Sequence, residues 1–324
     1  MLKNSVSESK TQYAAIDACK WAASVCVVAI HAQPLINCQS HTVRQIYAAM
    51  VGLAVPVFFV VSGFFLRNDP ERAKAQLIKT ARLYGIWTLI YLPLTIYGAI
   101  RSGNSPLYEA ARGVRRLFLI GEQHYSWFSW FLLASIYALL AIWLLLRKKT
   151  PVTVVCLILF SIYFASYLMN QLSLKAFLIL FGDNRVFSGM AYMAAGMLLR
   201  QYEAKIRRWT AVAVLPIFLL GSVFTPLEYL QIWFRLPMAF ALVAALVKTS
   251  LPPSPLWQSM RKASTVTYFT HMYVLVLSSL LIYAVDLRPG ALMFFIALAG
   301  STLLSLLVIY AERKNRLSWL KHLV

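Results

Sequence analysis

The strongest constraint on this chain is the recurrence of uncharged apolar runs close to the length of a bilayer span. Val51–Phe65, Phe131–Leu146 and Ala291–Tyr310 contain no charged residue, and a helix needs about 20 apolar residues to cross the hydrocarbon core. The chain is 60% hydrophobic and 13% charged, with a mean hydropathy of +0.67. A soluble domain of 324 residues could not hide that much apolar surface. Lipid offers no water to unpaired N–H and C=O groups, so the spans must be helices. The expected fold is an all-α polytopic membrane helix bundle.

Ten spans are expected, at about 14–36, 46–66, 83–100, 127–146, 151–170, 177–199, 210–225, 232–247, 265–285 and 291–311. Of the 31 lysines and arginines, 21 fall on the two tails and the even-to-odd loops, and eight on the opposite loops. The positive-inside rule then puts both termini in the cytoplasm. The net charge of +20 is mostly topology and does not point to nucleic acid. No internal repeat stands out, and the chain is read as a single membrane domain over 1–324, with cytoplasmic tails at 1–13 and 312–324. The polar start does not resemble a cleaved secretion signal, because Asp17, Lys20 and His31 interrupt the apolar segment behind it.

Those three residues are the second informative feature. Lys20 and His31 are eleven residues apart, three helical turns, so both project from one face roughly 16 Å apart along the axis. Asp17 belongs to the same stripe. Ionisable groups inside a span are costly unless they face a partner or a cavity, which makes this face a functional candidate. Arg235 raises the same question in the eighth span, with Glu228 as a candidate partner.

The outer loop 101–126 runs against the topological bias. It carries Arg101, Arg112, Arg115 and Arg116 with Glu109, Glu122 and His124, and Leu107–Ile120 has the pattern of a short helix lying on the membrane surface. Two readings stand side by side: lipid headgroup binding, or a basic rim that holds an anionic acceptor through arginine forks. Cys19, Cys26, Cys38 and Cys156 show no metal-binding spacing, and the three in apolar stretches read as small core residues. There is no P-loop and no GxGxxG, so neither ATP nor NAD is expected.

Asp17-x-x-Lys20, then ten residues, then His31 resembles the first helix of the acyltransferase 3 family of bacterial membrane acyltransferases, with lysine where that family carries arginine. Pro56-Val57-Phe58-Phe59-Val60-Val61-Ser62-Gly63-Phe64 is similar to its PxFFxxSGF stretch. Trp130-Phe131-Leu132 resembles the opening of its fourth helix, and Tyr268-Phe269-Thr270-His271 a late Tyr-x-x-His. The four matches occur in the family's order and cover most of the chain. The resemblance implies an acyl-CoA donor, usually acetyl-CoA, on the cytoplasmic side of a bacterial inner membrane. It also implies a sugar hydroxyl of a surface glycan or its lipid-linked precursor as acceptor, as in the O-acetyltransferases that modify surface polysaccharides.

Roles can be set against that chemistry. An imidazole titrates near working pH, so His31 is the candidate general base, or a nucleophile that carries the acyl group, against a structural hydrogen-bonding role. Lys20 either snorkels harmlessly, or pairs with Asp17 or contacts the donor's thioester or phosphate region. Ser62 and Gly63 either admit the donor or serve helix packing. His271 is a second proton carrier or a structural contact. In the cytoplasmic loop from Arg67 to Arg82, Arg67, Arg72, Lys74 and Lys79 are either coenzyme A phosphate ligands or ordinary positive-inside charge. Arg112, Arg115, Arg116, Trp130 and Arg235 are the acceptor-side candidates. No bound cofactor or metal is expected; the partners are acyl-CoA, the glycan or glycolipid, and membrane lipids. The main rival is a transporter or flippase for a lipid-linked or polysaccharide substrate, although repeated halves with interrupted helices are not evident. A small-solute exporter using Lys20 and His31 as a proton relay is the other.

Overall fold

The computed structural model describes residues 13–225, 231–284 and 290–314, and all regular structure among them is helical. Nearly all of the two tails lies outside the described residues, as does Glu228. The helices are α1 (Ala14–Ala32), α2 (His41–Val51), α3 (Ala54–Phe65), α4 (Pro70–Arg101), α5 (Pro106–Arg115), α6 (Trp130–Arg147) and α7 (Val152–Gln171). They continue with α8 (Lys175–Phe181), α9 (Arg185–Tyr202), α10 (Arg208–Phe224), α11 (Gln231–Val247), α12 (Pro255–Ala284) and α13 (Ala291–Arg313).

Among the described residues, six stretches are long and apolar enough to cross a membrane: 14–32, 41–65, 70–101, 127–147, 152–171 and 291–312. Two more apolar helices, Arg208–Phe224 and Trp233–Val247, are shorter. Four expected spans take a different form, the ninth by starting ten residues early, at Pro255 of α12. The second is broken at Gly52–Leu53 into α2 and α3, and the sixth is divided at Gly182, where φ is +75°, into α8 and α9. The third begins thirteen residues earlier than its apolar stretch, so the loop expected up to Arg82 is helical from Pro70. Asp69 caps α4 by accepting from the Glu71 N–H at 2.9 Å, and Pro70 stands at the first helical position. Hydropathy locates the membrane-embedded part of a helix, whereas capping decides where it starts.

Two packed cores share α3 and α6. One joins α3, α6, α7, α9 and α11 through Phe59, Leu139, Leu159, Met193 and Val243. The other joins α1, α3, α4, α6, α12 and α13 through Val28, Ala54, Trp87, Leu132, Phe269 and Ala297, with Phe128 of the turn before α6 among them. Between apolar helices in lipid, association rests on close van der Waals contact, and small residues allow it. The α3–α9 seam is such a contact: a Cβ on Gly63 would lie 2.1 Å from the Met193 carbonyl oxygen, and one on Gly196 would lie 2.1 Å from that of Val60. In the second core the Trp87 and Phe269 rings stack with centroids 4.7 Å apart, and the Tyr91 hydroxyl donates to the Phe269 carbonyl at 2.8 Å.

The pairing of α1 with α12 positions the functional stripe. α1 ends at Gln33, which takes the left-handed conformation (φ 49°) ahead of Pro34. Ser264 on α12 donates to the Lys20 carbonyl at 2.8 Å, and the His31 and His271 rings meet eleven and seven residues further on. The two helices therefore run parallel. α3 runs antiparallel to α1, since Tyr13 packs edge-on against Phe64 and Phe65.

Candidate active site

At one end of the stripe Asp17 is buried, 6% exposed. Arg261 on α12 places Nη1 3.9 Å from its carboxylate, and Lys20 follows one turn along α1. The Lys20 ammonium lies over the Phe65 ring, 5.6 Å from its centroid. Arg261 had no motif to mark it in the sequence. The signal that could have found it is its offset of ten residues from His271, close to the eleven between Lys20 and His31. The parallel pair thus carries a cation and an imidazole at matching heights on both helices.

Two cavities meet at Lys20, Ser62 and Gln76. One, of about 380 Å³, opens beside Arg72 and Lys79 on the first turns of α4. The other, of about 160 Å³, continues along the bundle past Thr80, Ser135, Arg261 and Ser264. Ser62 lines both, with its hydroxyl donating to the Phe58 carbonyl at 2.8 Å. Gly63 is turned away into the α3–α9 seam. Arg67 and Lys74 are outside the cavity linings; Arg72 also pairs with Asp69 at 3.5 Å. Thr80, Ser135 and Ser264 are lining hydroxyls that the sequence reading did not pick out. Single serines and threonines inside apolar runs give no sign of whether they face a cavity or their own backbone.

The smaller cavity ends on aromatic rings. Phe58, Phe131 and Tyr268 line it, with Tyr268 5.8 Å from Phe58 and 5.6 Å from Phe131 between centroids. Phe128 stands behind, 5.7 Å from Tyr268 and 5.6 Å from His271. This collar stands between the Lys20 cavity and the imidazoles. The Tyr268 hydroxyl donates to the Phe128 carbonyl at 3.0 Å, which ties the collar to the turn before α6.

Beyond the collar, the His31 and His271 rings lie 5.2 Å apart. His271 is fully buried, and its Nδ1 donates to the Tyr268 carbonyl at 2.6 Å. That bond fixes the tautomer, leaving Nε2 with its lone pair and no hydrogen-bond partner among the described residues. On its other side His31 stacks near Trp127, at 6.4 Å and 28°. Trp127 is 47% exposed and belongs to a tight turn pinned by Ser129, whose hydroxyl donates to the Gly121 carbonyl at 2.6 Å. Gly121 itself has φ +82° and lies where a Cβ would meet the Trp130 backbone at 2.6 Å. Trp130 packs toward Phe59, and Arg185, itself paired with Glu122 of the expected outer loop, covers its ring at 6.0 Å. The tryptophan beside the histidines is Trp127.

The expected outer loop is the helix α5 followed by one π-type turn at Arg116–Ile120. Its arginines are tied into the protein. Arg112 pairs with Glu109 at 3.3 Å, and Arg115 donates to the Ile179 carbonyl at 2.5 Å. Glu109 also receives His124 at 3.1 Å and Asn104 at 2.7 Å. Those hydrogen bonds, His124 first, hold its carboxyl down at about 2. Burial pulls Arg116 below its usual value and raises Glu122, which Arg185 meets at 2.6 Å. Arg235 lines a separate cavity with Arg44, between α1, α2 and α11.

A family model described as an acyltransferase domain matches residues 13–310. Two proteins named amino-acid racemase, both from Enterococcus faecalis, are similar to the chain. One is 31% identical over 141 residues, which is 42% of this chain and 19% of its own length. The other is 25% identical across 94% of this chain and 47% of its own length. The chain therefore spans less than half the length of these relatives. No solved structure matches it.

Proposed function

The chain belongs to the acyltransferase family whose model spans residues 13–310, and from that premise we propose that it moves an acetyl or similar acyl group from coenzyme A to a sugar hydroxyl across a bacterial inner membrane. The observation that carries this reading is the cavity running from Arg72 and Lys79 past Lys20 to the collar, with His31 and His271 directly beyond it. Arg72, Lys79, Lys20 and Arg261 supply positive charge for the coenzyme phosphates at the cytoplasmic end. The thin, polar pantetheine arm suits a passage lined by hydroxyls and ending on aromatic rings.

The chemistry is proton removal and acyl exchange. His31 takes the proton of the acceptor hydroxyl as its oxygen attacks the thioester carbonyl carbon. The new C–O bond forms, the C–S bond breaks, and the departing coenzyme thiolate recovers the proton from the imidazolium. His271, with Nδ1 committed to the Tyr268 carbonyl, packs its ring beside that of His31 and holds the imidazole in place. General-base assistance of this kind contributes about 10²–10⁴-fold. Where the family has a forked guanidinium, Lys20 brings a point charge; Arg261 brings the fork from the neighbouring helix. The acceptor is a glycan or lipid-linked glycan arriving at the Trp127 face, where an exposed indole next to the base suits the apolar face of a sugar ring. The racemase name of the two relatives belongs to proteins of whose length this chain spans at most 47%.

The test is purified protein with radiolabelled acetyl-CoA and candidate glycolipids. Label transfer to a glycolipid hydroxyl supports the reading. Absence of label in every acceptor, with substrate translocation intact, replaces it with a transporter.

A further inference from the structure

Among the described residues, six hydroxyl side chains line the cavity between Lys20 and the collar, and five of them are already engaged. Ser62, Ser135 and Ser264 donate to the Phe58, Phe131 and Lys20 carbonyls, each at 2.8 Å. Thr265 returns to the Arg261 carbonyl at 3.3 Å, and Tyr268 reaches that of Phe128 at 3.0 Å. Thr80 is the exception. It is 4% exposed inside α4, and its hydroxyl has no hydrogen-bond partner among the described residues. A threonine within a helix ordinarily bonds back to the carbonyl four residues earlier or points to water. Thr80 does neither, and a buried hydroxyl left unmatched is costly. Its open side is the cavity it lines.

Thr80 also ends a row. Arg72, Gln76 and Thr80 are four residues apart on α4, so they share a face and rise about 6 Å at each step. Arg72 and Gln76 line the outer cavity, Gln76 and Thr80 the inner one. The Gln76 amide likewise has no partner among the described residues. Beyond Thr80 the same face turns apolar, with Leu83 on the cavity wall and Trp87 stacked on Phe269. From its mouth inward, the wall therefore offers a cation, an amide that can donate and accept, one free hydroxyl, and then rings. That order fits a ligand with an anionic end, two secondary amides joined by a short alkyl bridge, and a slender terminus. A buried amide needs hydrogen-bond partners, and a plain hydrocarbon chain would leave both Gln76 and Thr80 without any.

We propose that Gln76 and Thr80 recognise the two amides of the pantetheine arm of coenzyme A. Gln76 meets the amide nearer the phosphates, and Thr80 donates its hydroxyl to the carbonyl oxygen of the amide nearer the sulfur. With the phosphates at Arg72 and Lys79, two amides held one helical turn apart direct the thioester end toward the collar. The identity of the donor rests on the acyl-transfer reading.

Isothermal titration of the full chain in phosphatidylcholine nanodiscs tests this with two probes. One is coenzyme A; the other is adenosine 3′,5′-bisphosphate, which keeps the nucleotide end and lacks the arm. Thr80→Val preserves the side-chain shape and removes the hydroxyl, and Gln76→Leu removes the amide. Each is expected to weaken coenzyme A binding about tenfold, or about 1.4 kcal/mol, and to leave the bisphosphate unchanged. Arg72→Gln should weaken both probes, and Thr80→Ser, which keeps the hydroxyl, should retain coenzyme A. Unchanged bisphosphate binding reports that a variant is folded; if Thr80→Val is not, Gln76→Leu, at an exposed position of α4, carries the comparison. Coenzyme A binding unaltered in these variants, or equal losses for the two probes, overturns the assignment and leaves the donor reading standing. A parent protein that binds neither probe overturns the donor reading and the assignment with it. Arm-dependent binding without acyl transfer to any acceptor refutes the transfer reading and leaves the assignment standing.

Discussion

Replacing Gly63 by alanine tests whether that residue serves the bundle or the donor. The added Cβ would sit 2.1 Å from the Met193 carbonyl oxygen, whereas ordinary contact begins at 3.4 Å. The shortfall is 3.4 less 2.1, about 1.3 Å, and backbone on the far side cannot swing aside as a side chain would. α3 and α9 must therefore separate, and the reciprocal contact of Gly196 with Val60 opens with them. Overpacking of a core costs about 1–3 kcal/mol, and a backbone collision belongs at or above the upper figure. The displacement also carries Phe58 and Ser62, which line the donor cavity together with Met193 itself. A shift of about 1 Å in a positioning element can cost about 100-fold in rate. Thermal unfolding in detergent, coenzyme A binding and acyl transfer should thus all suffer for Gly63→Ala. Gly85→Ala is the control: its Cβ meets nothing within 4 Å, and in mid-helix the change should stabilise by about 0.5–1 kcal/mol. A Gly63→Ala protein as stable as the parent, with only donor binding lost, would refute the packing argument.

His31→Gln at unchanged membrane abundance should lower acyl transfer by about 10²–10⁴-fold while leaving coenzyme A binding intact; full retained transfer removes His31 from the mechanism. Lys20→Gln and Arg261→Gln should each weaken donor binding, raising KM for acyl-CoA more than lowering kcat, and should compound in the double variant because both charges line the same cavity. The Glu109 carboxyl, depressed to about 2 from an ordinary 4.5 by His124, Asn104 and Ser102, contributes order to α5 that is complete above about pH 4.5 and fades as pH falls toward 2. Hydrogen-exchange protection across residues 102–124, taken relative to the intrinsic rate at each pH, should follow that window and stay flat in Glu109→Gln; a protection profile unchanged by that substitution would sink the assignment.

Much of the helix bundle was legible in sequence because lipid imposes one rule on every residue of a span. The stripe of Asp17, Lys20 and His31 was legible too, since the helical repeat alone puts them on one face. The start of α4 was not, because Pro70–Arg82 is polar and hydropathy is silent there; the cap at Asp69 was the readable sign. Trp130 and Trp127 differ by less than one turn, and a motif placed the emphasis on the first while the fold set the second beside His31. The rim arginines look available in sequence, but Glu109 and the Ile179 carbonyl engage two of them, and a carbonyl 64 residues away cannot be foreseen from local pattern.

What the sequence by itself determined is therefore the kind of object: an all-helical membrane protein with ionisable groups aligned along its first span. Apolar length, charge bias and the 3.6-residue repeat are local quantities, and they fix those features without reference to any neighbour. Only the tertiary structure decided that α12 lies parallel to α1, bringing Arg261 to Asp17 and His271 to His31 across some 240 positions of chain. Apolar helix faces in lipid are chemically alike, so hydrophobicity cannot choose among partners. The choice is made by shape and by a few buried polar contacts such as Ser264 on the Lys20 carbonyl, and these exist only once the helices have met.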